Sequence, residues 1–178
     1  KLVQVGLADD PGTSGAQSGH HALAHRTPEQ GAGGQAKRLA DLRRVFFAAP
    51  DYFAKYGRPK HPQDLSKHQC IVRTARVGAD IWPFTVDGKL RTIKVSGRFR
   101  ANGAGVVNEA AIRGLGIAIA PLWHIRPLID QGLVEVTLAR FAPPTIPVHA
   151  TWSGTRVLPA KTRMFIDFLS QRIKAARL

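Results

Sequence analysis

The residues best suited to chemistry in this 178-residue chain are Asn102, Gly103 and Ala104. They lie in the run from Gly97 to Pro121, where Arg98 to Ala101 reads as extended and Val106, Val107, Ala110 and Ala111 recur at helical spacing until Gly114. Asn102 is a suitable N-cap for that helix. The backbone N–H groups around Gly103 to Gly105 then have no intrahelical acceptor, and with the helix dipole they favour a carboxylate or a similar small anion. The chemistry expected of these residues is recognition of an anion by backbone amides.

Other reactive residue types carry less. Cys70 is the only cysteine, which excludes an intramolecular disulfide and a thiolate metal cluster. Its setting, Gln69-Cys70-Ile71-Val72, is an apolar strand-like run, so it reads as a small buried hydrophobe and not as a nucleophile. His68 is two residues away, with no acid evident to orient it. His21 and His25 stand four apart and His20 adjoins them, yet they lie in glycine-rich sequence and are assigned no metal. Gly103-Ala104-Gly105 is a fragment of a dinucleotide fingerprint that the following residues do not complete. There are no paired carboxylates and no nucleophile and base arrangement, so neither an enzyme nor a cofactor is expected.

The elements that must hold the Asn102 turn are the strands on either side of it. Gly116 to Ala120 is apolar apart from its glycine, as in a strand covered on both faces of a parallel sheet, so Gly97 to Pro121 reads as a βαβ unit. Around it, Leu2 to Val5, Arg43 to Ala49, Cys70 to Arg73, Leu133 to Leu138 and Val148 to Trp152 read as strands. Asp51 to Tyr56 reads as a short helix closed by Gly57, and Pro62 to Leu65 as a short helix with proline near its start. Trp123 to Asp130 is expected to be a helix ended at Gly132. Ile81 to Val86 and Lys89 to Val95 flank Asp87-Gly88, a hairpin signal, and Pro83 confines its strand to a sheet edge. The last helix opens after Pro159 and carries Met164, Phe165, Phe168, Leu169 and Ile173 as a stripe expected to face the core. Asp9 to Gln35 has hardly a large apolar side chain and is expected to be a disordered loop.

Lysine and arginine number 26 against 12 aspartate and glutamate, giving a net charge of +14 and a pI near 11.1, a balance that favours polyanions. The basic residues are spread over the surface, at Lys37 and Arg38, at Lys89 to Arg100, and at Lys161 to Arg177. No apolar run reaches the roughly 18 residues of a membrane span and no signal-peptide pattern opens the chain, so a cytoplasmic location without membrane contact is expected.

Several blocks in order resemble the effector-binding domain of LysR-type transcriptional regulators. They are Val45-Phe46-Phe47-Ala48-Ala49-Pro50-Asp51-Tyr52-Phe53 with Gly57 and Pro59; Pro62 to Cys70; Ala101-Asn102-Gly103; Gly114 to Pro121; and Leu158 to Leu169. The resemblance covers Lys37 to the C-terminus. It implies an α/β fold of the periplasmic-binding-protein kind, two lobes joined by crossing strands, with a small effector in the cleft. On that pattern residues 1–48 are an incomplete first lobe containing the 9–35 stretch, 49–146 the second lobe, and 147–178 the return strand and C-terminal helix of the first. The end of the Cys70 strand borders the cleft in the family, which adds Arg73 and Thr74 to Asn102, Gly103 and Ala104 as effector-binding residues and makes a small organic acid the expected ligand. The family's N-terminal winged helix-turn-helix is not in this sequence, so DNA would be bound only through that domain, by a homo-oligomer. Alternatives are a solute-binding protein of similar fold, or a basic nucleic-acid-binding protein. A first lobe without its opening strands is also expected to expose Val45 to Phe47 and the last helix, leaving the chain poorly stable or self-associating.

Overall fold

A computed structural model describes residues 3–7, 34–75, 77–153 and 159–175. The chain divides into two compact units, one formed by residues 1–42 with 145–178 and the other by 43–144. Membrane-crossing helices are absent among the described residues: none is long and apolar enough.

The first unit is a three-stranded antiparallel sheet with one helix. Strand β10 (Ile146–Ser153) lies between β1 (Val3–Leu7) and β2 (Gly34–Leu42). Gly34 and Gln35 therefore belong to a strand and not to the loop expected up to Gln35; the sheet ladder to β10 supplies the ordering that their composition does not. Residues 8–33, which hold the rest of that loop and His20, His21 and His25, lie outside the described residues. Helix α4 (Ala160–Ala175) packs through Ile166 onto Leu39, Leu42, Val148 and Ala150, and Asp167 bonds Lys37 Nζ of β2 at 2.6 Å.

Part of the α4 stripe expected in the core is turned outward, while its Ile173 packs inward. Met164, Phe165 and Phe168 are 72%, 51% and 57% exposed, while Ile166 is 1% exposed and Ile173 packs beside it. Two apolar faces compete on this helix, and the sheet takes the one carrying Ile166.

The second unit is built on β3 (Arg44–Ala48), whose five residues are all buried. Alternation sends Phe46 to one face and Val45 and Phe47 to the other, so the expectation that Val45 to Phe47 lie exposed does not hold: both faces are covered inside this unit. Strand β3 runs antiparallel to β8 (Ala118–Pro121) and to β9 (Glu135–Thr137). Beyond β8, Ile71 donates to Ile117 O at 2.7 Å and Ile117 donates to Gln69 O at 2.9 Å, which brings in β4 (Val72–Arg73). The sheet ends at β7 (Arg100–Ala101), parallel to β4. The Gly116 to Ala120 run thus has a parallel neighbour on one side and an antiparallel one on the other, a mixed setting that buries Ile117 and Ala118 as fully as an all-parallel sheet would.

Helix α2 (Ala104–Ile112) connects β7 to β8 and covers the Phe47 face together with α3 (Leu122–Asp130) through Val107, Ala110, Ala111 and Ile125. The opposite face is closed by the hairpin of β5 (Ile81–Val86) and β6 (Lys89–Lys94), which turns at Asp87 and Gly88 with φ of 49° and 71°. Its Trp82 and Phe84 stack on Phe46 at centroid distances of 5.6 and 4.6 Å, with α1 (Pro50–Tyr56) adding Tyr52 and Phe53 to the same core. Pro83 sits in a strand with one partner, as an edge requires.

Candidate functional site

Parallel pairing of β4 with β7 puts the C-terminal ends of the two strands side by side: Val72 faces Arg100 and Arg73 faces Ala101. Thr74 N–H then donates to Ala101 O at 2.8 Å, and Arg73 Nε donates to Asn102 O at 3.2 Å. Helix α2 begins immediately afterwards. Gly103 is its N-cap, in extended conformation, and its carbonyl accepts the first intrahelical bond, from Val107 N at 3.1 Å. Arg73, Thr74, Asn102, Gly103 and Ala104, assembled from two stretches about 30 residues apart in sequence, are therefore neighbours in one corner of the second unit.

One sequence expectation fails here. Asn102 is not the cap; the helix starts one residue later, and a glycine cap has no side chain to offer the first-turn amides. The shift arises because Asn102 is held by its carbonyl in the bond from Arg73, while Gly103 turns the chain into the helix. No side-chain oxygen therefore caps the amides of Ala104, Gly105 and Val106. Arg73, Thr74 and Asn102 are exposed, Gly103 and Ala104 half-buried, and no acidic residue occurs between Gly88 and Asn108. Positive charge at this corner comes from Arg73 and the α2 N-terminus together.

At the other end of the β4 segment lies a buried polar link that the sequence signals only as isolated residue types. Tyr52 of α1 reaches His68 Nδ1 at 3.2 Å, accepts from Gln69 N–H at 2.9 Å, and lies 3.4 Å from Gln69 O. Burial lowers the His68 pKa, partly offset by the Asp64 carboxylate, and burial raises that of the Tyr52 hydroxyl. Gln69 O is also the acceptor for Ile117 N–H, so the link fixes the start of the β4 segment against β8. Cys70 follows it, fully buried, its thiol pushed up to about 12 by desolvation, as befits a packing residue.

The fold and the paired strand ends define a ligand-binding domain of α/β type, and comparison with known proteins gives its family. The profile of the LysR substrate binding domain matches residues 16–174, and the chain belongs to that family. Among its relatives is a probable HTH-type transcriptional regulator, LtrA of Klebsiella pneumoniae, 32% identical over 152 residues that make up 84% of this chain and 48% of the relative. The HTH-type transcriptional activator TtdR of Escherichia coli (strain K12) is 29% identical over 136 residues, 76% of this chain and 44% of TtdR. The chain thus spans less than half the length of these curated relatives. The regulatory domain of CrgA, a LysR-type transcriptional regulator from Neisseria meningitidis, superposes with a TM-score of 0.66 at 26% identity, covering 80% of this chain and 70% of that one. The AphB regulatory domain of Vibrio vulnificus shares the fold at a TM-score of 0.67 and 22% identity, over 87% of this chain and 81% of that one.

Proposed function

We propose that the chain is the effector-sensing domain of a LysR-type regulator and takes a small organic acid at the corner of Arg73, Thr74, Asn102, Gly103 and Ala104. The observation that carries this reading is the parallel β4 and β7 pair ending beside an α2 N-terminus whose cap is a glycine. A carboxylate there accepts from the first-turn amides, while the Arg73 guanidinium, already oriented by its Nε bond to Asn102 O, offers its terminal nitrogens and Thr74 a hydroxyl. The domain senses rather than transforms its ligand: the effector shifts the domain between states by binding one more tightly than the other. On this reading the regulator is oligomeric and cytoplasmic and has a separate DNA-binding helix-turn-helix domain, the last suggested by relatives named as HTH-type regulators. The two compact units are the two lobes of that sensing domain.

Titration calorimetry with a panel of aliphatic and aromatic carboxylates tests this. One member of the panel should bind; Arg73→Ala should weaken it about tenfold, a cost of about 1.4 kcal/mol in the range of a charge-assisted hydrogen bond, and Thr74→Ala should weaken it less. Unchanged affinity in both variants would place the site elsewhere.

A further inference from the structure

The stretch from Lys89 to Arg100 forms an outer border of the second unit. Strand β6 is paired with β5 alone, and where the chain runs on to β7 its inner side is bonded to the β4 segment: Cys70 N–H donates to Ser96 O at 2.9 Å and Val72 N–H to Phe99 O at 3.2 Å. Exposure alternates along this continuation. Val95 is buried and Gly97, Phe99 and Ala101 half-buried, while Lys94, Ser96, Arg98 and Arg100 are exposed. Gly97 pins the row in place, since a Cβ there would lie 2.0 Å from Cys70 O and only glycine lets the backbones approach so closely. Lys89 and Arg91 of β6 are exposed too, but they pair with Val86 and Phe84 and so lie on the strand's other face, outside this row.

Among the described residues none of Lys94, Arg98 and Arg100 is in an ion pair, and no acidic residue lies between Gly88 and Asn108; Asp80 stands beside the end of β5 that pairs with Lys94. Charges on an edge strand also discourage unwanted pairing, but either sign, or both mixed, serves that purpose. A row of one sign on a rigid border builds a field that attracts a polyanion.

We propose that this border is a contact surface for the phosphate backbone of duplex DNA. Phosphate contacts need exposed cations in a fixed row and no base-reading element, which is what Lys94, Arg98 and Arg100 provide. A single-stranded partner would call for exposed stacking aromatics, and the border's one aromatic, Phe99, is half-buried. A lipid surface would call for apolar side chains to insert, and Leu90 alone is exposed there. The surface is distinct from the acid-binding corner and does not depend on what binds there.

The test is fluorescence anisotropy with the 178-residue chain and a labelled duplex of about 20 base pairs, over a salt series from about 50 to 200 mM. The triple variant Lys94→Gln, Arg98→Gln, Arg100→Gln should lower affinity at least tenfold at low salt, and its plot of log K against log salt should be shallower by about 2 to 3, near 0.9 for each phosphate left without its cation. The control Lys55→Gln, Lys60→Gln, Lys67→Gln removes the same charge from exposed positions elsewhere in the unit and should change the slope by about 1 or less. Should the border triple fail to fold by circular dichroism, Arg98→Gln with Arg100→Gln replaces it, with an expected slope change of about 2. Equal effects of border and control variants, or no effect of either, would overturn the proposal. So would border variants that abolish binding to polyglutamate while leaving duplex binding intact, an outcome that assigns the border to an acidic protein.

Discussion

At the scale of single residues, the second unit sets two titratable groups in surroundings with opposite consequences. The Cys70 thiol, raised to about 12 and buried, should resist alkylation and disulfide exchange in the folded chain and react at the ordinary rate in urea; rapid native-state labelling by a chromogenic disulfide reagent would contradict its packing role. For His68 the folded state prefers neutral imidazole, because burial depresses its pKa below 6.5. Its contribution to stability is thus complete above the unfolded value and is lost as pH falls from there through the depressed folded value. The urea midpoint should drop between about pH 7.5 and 5.5, and His68→Gln should flatten that drop. Equal slopes in the two proteins would show that Tyr52 and Gln69 tolerate the protonated ring. Neither setting is visible in sequence, where His68 and Cys70 are two neighbours without an acid; the partner, Tyr52, comes from a helix that only folding brings near.

Among elements, the short ones were legible wherever local chemistry decides. The Asp87-Gly88 turn, the glycine ends at Gly57, Gly114 and Gly132, and the helix between Gly103 and Gly114 appear where turn and capping preferences put them. What failed were the choices made by long-range contacts. The Arg73 bond to Asn102 O moved a cap by one residue, the ladder to β10 drew Gly34 and Gln35 into β2, and the sheet selected the Ile166 face of α4. The approach of Gly97 to the Cys70 backbone belongs to the same class. Gly97→Ala should cost about 3 kcal/mol, the upper range for overpacking, because backbone atoms are the obstacle; a urea midpoint within error of the parent would refute the close approach. Phe84→Ala, which removes the ring stacked on Phe46, should cost about 3 to 5 kcal/mol by the same measurement.

For the molecule as a whole, the two units differ in how well they cover themselves. The second unit buries β3 on both faces, whereas the first leaves Met164, Phe165 and Phe168 on the surface of α4. Such a stripe favours association, so sedimentation velocity should show concentration-dependent self-association that Phe165→Lys with Phe168→Glu reduces. A monomer at all concentrations would remove that expectation. The central proposal concerns the other unit, where two strand ends meet one helix N-terminus in a corner proposed to bind an anion. The most direct test is amide mapping by nuclear magnetic resonance during titration with succinate, citrate and benzoate. The account predicts saturable shifts of the Ala104, Gly105 and Val106 amides with at least one of them, lost in Arg73→Ala; saturable binding that leaves those three amides unmoved would contradict it.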